Sequence, residues 1–376
     1  MSADTRIPIV LLVLVLASGG GCGDGDAGGE ARGVAVVDSG GVTIVANAGG
    51  DRPAGRSAVK RVELHPPDSA LTAVPWGVGA DPETGRIYAL DRTAPRVVVF
   101  DRAGEYVATL GGEGGGPGEF RNPSALTVGP DGTLIVWDTG RGVLSRWSPD
   151  GELIDETTAP RISYFGPGLH LLSGRIVTVT SGRSRSAMKQ ILVQAARGDT
   201  TGGAADTTVL HTVEQEMTVV DLPCMRGPMP RVLEPTLAWT AAGDTVWAVN
   251  GPGYRIDAFA GGELVSSVRR PVGPIPVTDS MAVERARLRF RGFLRRCGIS
   301  AEQLVEEVGH SGRIAPIRWL AADPDGRLWV ARGPGHTAAE RIDVLSPEGR
   351  YRGTVEAGVM PLAFVSSSRF VGLRLQ

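Results

Sequence analysis

The 376 residues carry 39 Lys and Arg against 41 Asp and Glu, a formal charge of −2 that gives no global attraction to nucleic acid or to an anionic membrane. Hydrophobic content of 42% with seven Trp is ample for a core, while 53 Gly and 26 Pro demand many turns and favour an all-β chain over a helical one. Three cysteines are too few for a disulfide scaffold.

At the N-terminus Arg6 precedes an apolar run, Ile7 to Ala17, followed by SGGG and then Cys22. The run falls short of the roughly 20 apolar residues that a membrane-spanning helix needs, and reads as a secretion signal. Small residues ending in Cys resemble a bacterial lipobox, with Gly19 where a Leu-like residue is usual. Residues 1–22 are therefore expected to be a lipoprotein-type leader ending at Cys22, the lipidated residue; ordinary signal-peptidase cleavage nearby is the alternative. Residues 23–40, rich in Gly and Asp, read as a flexible linker. Residues 41–376 read as one repeat domain.

Val42–Ala46 is a continuous β-branched strand, and Val59–Leu64 alternates as another. From Trp76 to Gly112 and again from Pro123 to Thr157 one pattern is written twice: strand, Gly turn, strand ending in Asp, strand, tight turn, strand. Gly85 and Gly132 stand 47 residues apart, as do Asp91 and Asp138, and Phe100 and Trp147. A third unit begins at Tyr164, a fourth at Thr236 and a fifth at Arg318, and a partial sixth ends the chain. Two residues after each turn position stand Ile87, Leu134, Ile176, Val246, Leu328 and Phe370, all apolar. Four strands per unit at this period describe β-propeller blades, each of which needs neighbours to bury its apolar face. The last unit lacks outer strands and the N-terminal strands lack a blade, so the two are expected to complete each other. The fold expected is a six-bladed β-propeller closed by N-terminal strands.

The stretch GGPGEF (Gly115 to Phe120), followed by a strand, PDG, a strand and Asp138-Thr139-Gly140, resembles the NHL-type six-bladed propeller repeat. Secreted bacterial lipoproteins built on that propeller are similar to the chain as a whole. The resemblance implies a fold and an exported, cell-envelope location; such propellers host binders, scaffolds and a few enzymes.

One segment, about 279–309, breaks the repeat and reads as a helical insertion between blades 4 and 5. Val283, Ala286, Phe290, Phe293 and Cys297 form one apolar stripe, and Ser300 with Gln303 fits a capping box. The other face carries Arg285, Arg287, Arg289, Arg291, Arg295 and Arg296. That face reads either as solvated or as an anion- or partner-binding helix laid over the propeller.

The five histidines, His65, His170, His211, His310 and His336, show no metal-ligand spacing. Asp81, Asp131 and Asp323 sit in turn sequences, where Asp serves backbone geometry before it serves calcium. No G-x-S-x-G elbow and no phosphate-cradling P-loop is present. No metal and no cofactor is expected. Arg92, Arg141, Arg183, Tyr254, Arg332 and His336 fall in loops after the second strands, where a propeller presents its ligand face. Forked hydrogen bonds from such arginines suit acidic ligands. Cys224 and Cys297 are candidates for a disulfide tying the insertion to the loop before blade 4. The expected role is non-catalytic: binding a protein, peptide or glycan, with membrane contact only through the anchor. The alternative is a metal-dependent hydrolase or lyase of the lactonase, esterase or lyase kind at the channel mouth.

Overall fold

The computed structural model describes residues 9–18, 33–64, 77–159, 168–172, 175–183, 187–196, 207–333, 341–357 and 359–375. The chain is all-β apart from three short helices among those residues. It begins with β1 (Ile9–Ser18), β2 (Val34–Ser39), β3 (Val42–Asn47) and β4 (Arg56–Glu63). A first antiparallel meander follows: β5 (Gly77–Ala80), β6 (Ile87–Asp91), β7 (Arg96–Phe100) and β8 (Tyr106–Leu110). A second comprises β9 (Pro123–Val128), β10 (Leu134–Asp138), β11 (Val143–Trp147) and β12 (Leu153–Thr158). The third is longer: β13 (Leu169–Leu172), β14 (Arg175–Arg183), β15 (Ala187–Ala196), β16 (Thr207–Leu222) and β17 (Met225–Pro230). Next come β18 (Trp239–Ala242), β19 (Thr245–Val249), β20 (Arg255–Ala260) and β21 (Glu263–Arg269). After β22 (Ile275–Pro276) stand α1 (Asp279–Arg289), α2 (Arg291–Cys297), α3 (Ala301–Val308) and β23 (Arg313–Ile314). The chain ends with the sheet β24 (Ile317–Ala322), β25 (Leu328–Arg332), β26 (Arg341–Leu345) and β27 (Tyr351–Val355), then β28 (Pro361–Ser366) and β29 (Arg369–Leu375).

The turn chemistry explains why the meanders repeat. Asp131 accepts the Thr133 amide and Asp323 accepts the Asp325 and Arg327 amides. Gly132 and Gly326 take φ of 74° and 78°, a region that side chains resist. The second strands β6, β10 and β25 are buried at every position, which explains their unbroken apolar runs: neighbouring sheets cover both faces.

Apolar clusters fill the spaces between successive sheets. Leu90, Phe120, Leu134 and Trp147 join the first meander to the second, and Ile135, Trp137, Leu169 and Ile176 join the second to the third. Val177, Leu192, Val246 and Phe259 continue the series, then Trp247, Ile256, Val330 and Leu345. Trp329 packs on Phe364 and Phe370 at centroid distances of 5.3 and 6.1 Å. Val365 and Val371 then meet Ile87, Val98 and Phe100 of the first meander, returning the series to its start.

The N-terminal strands divide between two sheets. β4 does lie in the sheet of the C-terminal strands, in the order β28-β29-β1-β4. The Val42–Ala46 strand does not join it. As β3 it pairs in parallel with β21, Val45 opposite Val268, and carries β2 outside it. The reason is packing: Val45 is 2% exposed in the cluster that also holds Trp247, Val268 and Tyr351. The apolar run assigned to a leader forms β1, between β29 and β4.

The helices fall at residues 279–308, and the single stripe expected there is broken at Phe290, which ends α1 and begins α2. Ala282, Arg285 and Ala286 are the buried residues of α1, while Val283, Phe290 and Phe293 are partly buried. Ser300 and Gln303 form the reciprocal capping box of α3. Leu304 and Val308 of α3 pack on Val220, Leu222 and Met229 of the β16–β17 hairpin. Cys224, in the turn of that hairpin, is disulfide-bonded to Cys297 at the end of α2, with Cα atoms 4.7 Å apart.

Candidate functional site

A cavity of about 1500 Å³ is lined by one end strand from each of the six larger sheets: β5, β9, β13, β18, β24 and β28. Close approach of these strands needs small residues; a Cβ at Gly79 would stand 2.7 Å from the Leu126 side chain. The wall is largely apolar, with Leu126, Leu169, Leu320 and Phe364, and includes the half-buried indoles of Trp239 and Trp319. Trp319 is fixed by its indole N–H, which donates to the Pro361 carbonyl at 2.8 Å.

The two ends differ in charge. At the turns that follow the first strands, Asp131 and Asp323 line the cavity together with Asp325, Asp244 and, near Asp131, the cation Arg146. The first two are committed to their own turns, and Asp323 also accepts from Arg327 Nε at 2.7 Å and from Trp329 Nε1 at 3.0 Å. At the other end Arg318, the second residue of β24, and Arg289, the last of α1, line the cavity. Arg285 lies one helical turn behind Arg289 on the same face and is 9% exposed. Burial lowers all three guanidinium pKa values; Arg285 falls to about 9, with the charges of Arg318 and Arg289 adding to the effect. Arg289 is open to the cavity yet closely surrounded by protein, so desolvation acts on it even though solvent reaches it.

His170 also lines the cavity; burial brings its pKa down to about 4, so its ring is neutral at ordinary pH. Among the described residues no group of three or more His, Cys, Asp or Glu could hold a metal ion, and no helix is long and apolar enough to cross a membrane.

The residues read as a ligand face are dispersed. Arg92 lines the cavity, and its Nε donates to Asn122 Oδ1 at 2.7 Å; burial lowers its pKa. Arg141 is held away from it by a two-pronged pair with Glu156, at 2.6 and 2.7 Å, and by the Glu119 carbonyl at 2.8 Å. Arg332 is ion-paired with Asp51 at 2.7 Å and Asp343 at 3.0 Å. Tyr254 is 3% exposed; burial raises its phenol pKa, and the negative charge of Asp343 raises it further. Arg183 ends β14, and nothing is described of its side chain; His336 and Cys22 lie outside the described residues. Arg285 and Arg289 belong to the arginine face that the sequence leaves open between a solvated surface and an anion- or partner-binding helix, whereas the sequence marks Arg318 only as the start of a repeat. Four-residue spacing between two arginines flanked by Ala282 and Ala286 was the available signal.

Residues 81–166 match a family described as a 6-bladed beta-propeller. No curated protein matches the chain. Among solved structures it is similar to a Bacteroides fragilis protein described as exported, at 13% identity and a TM-score of 0.41, over 84% of this chain and 94% of that one. A streptogramin B lyase is similar at 14% identity and a TM-score of 0.38, over 83% and 96% of the two chains. A gluconolactonase from Xanthomonas campestris is similar at 15% identity and a TM-score of 0.34, over 80% and 85%. The chain has a β-propeller fold.

Proposed function

We propose that this protein is a six-bladed, NHL-type β-propeller, exported and anchored through Cys22, which acts as a non-catalytic binding protein for a peptide, protein segment or glycan. Six sheets of at least four strands among the described residues, with an apolar cluster between each pair of neighbours, support the blade count. The observation that carries the binding reading is the cavity: about 1500 Å³, apolar along its wall, with the turn-end carboxylates of Asp131 and Asp323 engaged in backbone hydrogen bonds and cationic side chains at the opposite end. Pockets of this volume and lining hold ligands the size of a small molecule or a short chain. Lactone and ester hydrolysis, assayed with and without calcium, tests this reading. Turnover above the uncatalysed rate that follows the purified protein would overturn it, and saturable binding without turnover would support it.

For the anchor, Cys22→Ser is expected to move the protein from the membrane fraction to the soluble one. The pairing of Ile9–Ser18 with β29 and β4 favours a second reading, in which this run stays in the mature protein as the third strand of its sheet. The intact mass of the membrane-fraction protein decides between them: a chain starting at Cys22 supports the leader, and one retaining Ile9–Ser18 supports the strand.

A further inference from the structure

The Arg end of the cavity has a property that its outer surface lacks. Several other guanidinium groups meet carboxylates: Arg141 with Glu156, Arg255 with Asp257, Arg270 and Arg332 with Asp343. Arg285, Arg289 and Arg318 meet none among the described residues. Arg318 Nε is fully buried with no hydrogen-bond partner, and Arg289 has Phe290 as its neighbour, the guanidinium carbon 5.9 Å from the ring centre. Like charges gathered with no carboxylate partner among the described residues are unfavourable in a folded protein, because they repel one another and because burial strips water from Arg285 and, in part, from Arg318. Such an arrangement persists where a bound anion supplies the missing charge.

We infer that Arg285, Arg289 and Arg318 form an oxyanion site at the α1 end of the cavity, which holds the carboxylate or phosphate of a ligand whose ring-shaped body lies against Trp239 and Trp319. The inference rests on the reading of the cavity as a binding site. Arg289 and Arg318 reach the cavity from two different elements, a helix and a first strand, and so can converge on one group through forked N–H donors. Arg285, buried behind Arg289, adds positive potential. Trp239 stands at the start of β18 and Trp319 directly follows Arg318, so both indoles lie at the cationic end. Flat apolar rings beside a cationic clamp suit a sugar acid or an aromatic phosphate, and suit neither a bare ion nor a long neutral chain. The disulfide from Cys224 to Cys297 and the packing of α3 on the β16–β17 hairpin fix the helices that present two of the three arginines.

The test is calorimetry and thermal unfolding of the full chain with inorganic phosphate, phenyl phosphate, glucuronate and glucose, all at one ionic strength. Phenyl phosphate or glucuronate is expected to bind saturably and raise the melting temperature, with inorganic phosphate weaker by at least about tenfold and glucose without effect. Arg289→Gln and Arg318→Gln should each weaken binding at least about tenfold, the scale of a lost charge-assisted hydrogen-bond pair. Arg285→Met should weaken binding while raising the melting temperature of the ligand-free protein, an outcome that a purely structural arginine would not give. Equal affinity in the three variants, or a response that follows ionic strength alone, would overturn the inference. Binding of glucose with Trp fluorescence quenching, and no response to the acids, would overturn it while leaving the cavity reading intact. Failure of all four probes to bind would count against both.

Discussion

The guanidinium carbon of Arg270 lies 3.7 Å from the ring centre of Tyr351, and the same guanidinium is ion-paired with Asp343. Both members of that ion pair have fully buried side chains. Around it gather Asp51, within 3.2 Å of Arg270, 2.7 Å of Arg332 and 2.9 Å of Arg341, and Arg52, whose guanidinium donates to the Tyr351 carbonyl at 2.7 Å. This network ties the chain between β3 and β4 to the sheet β24–β27. Removing one partner of a buried pair leaves the other charge uncompensated, so Arg270→Leu should cost about 3–5 kcal/mol, read as a lower urea midpoint. Arg270→Lys should recover little, because an ammonium cannot reach two carboxylates as a planar fork does.

The same network has an acid limit. Burial pushes the Asp51 carboxyl up, but hydrogen bonds and charge from Arg332 and then Arg270 outweigh it and hold the pKa below the usual carboxylate value. A depressed folded pKa stabilises above the unfolded value of about 3.9 and is lost as pH falls through the folded one. Asp51→Asn should therefore destabilise at pH 7 and lose its effect well below pH 3.9, which denaturant midpoints across that range would show.

Asp138 is fully buried and accepts four backbone amides: Arg121 at 2.7 Å, Asn122 at 3.0 Å, Gly140 at 2.8 Å and Arg141 at 3.1 Å. It joins the end of β10 to the segment that enters β9. Asp138→Ala orphans those donors and should cost about 3 kcal/mol or more in thermal or urea unfolding. Asp138→Asn should do better than Ala but not restore the wild type, since its amide nitrogen cannot accept.

His310 carries a pH signature of opposite sign. Its Nδ1 faces the Ser311 carbonyl at 2.9 Å and its Nε2 faces Asp279 at 2.9 Å, and these two contacts raise its pKa against a smaller opposing effect of burial and of the Arg231 charge. A raised folded pKa stabilises fully below about pH 6.5, and the gain disappears as pH rises through the folded value. Asp279 is almost wholly exposed, so the gain is about 0.5 kcal/mol. His310→Gln should shrink the stability difference between pH 5.5 and pH 8 by that amount.

The bond between Cys224 and Cys297 spans 73 residues. Closing a loop of that length is worth about 4 kcal/mol, so Cys224→Ser with Cys297→Ser should lower the melting temperature, and reductant should do the same to the wild type but not to the variant.

The sequence made the repeating turns legible because their chemistry is local: Gly132 and Gly326 sit beside the aspartates whose turns they complete. Longer-range choices were hidden. The pattern of Val42–Ala46 fits any sheet edge, and only the packing of Val45 against Val268 selects β21. The sequence puts Arg332 and Tyr254 in loops after the second strands, but Arg332 ends β25 in ion pairs with Asp51 and Asp343, and Tyr254 is buried beside Asp343 and Arg270. Hydropathy treats arginine as solvent-facing, so the four-residue spacing of Arg285 and Arg289 beside Ala282 and Ala286 was the sole local trace of their place near Arg318, which lies on a different element.

The parallel pairing of β3 with β21 sets a schedule for biosynthesis. Residue 45 leaves the ribosome long before residue 268, its partner across the seam. Until β21 is made, the β2–β3 hairpin has only itself to pair with, and Val36 and Val37 stay exposed even in the finished fold. Pairing over such a separation is slow, and an unpaired strand edge is a template for aggregation. A nascent chain that stalls before Glu263 therefore carries an open strand edge at β3, the kind of edge that templates aggregation.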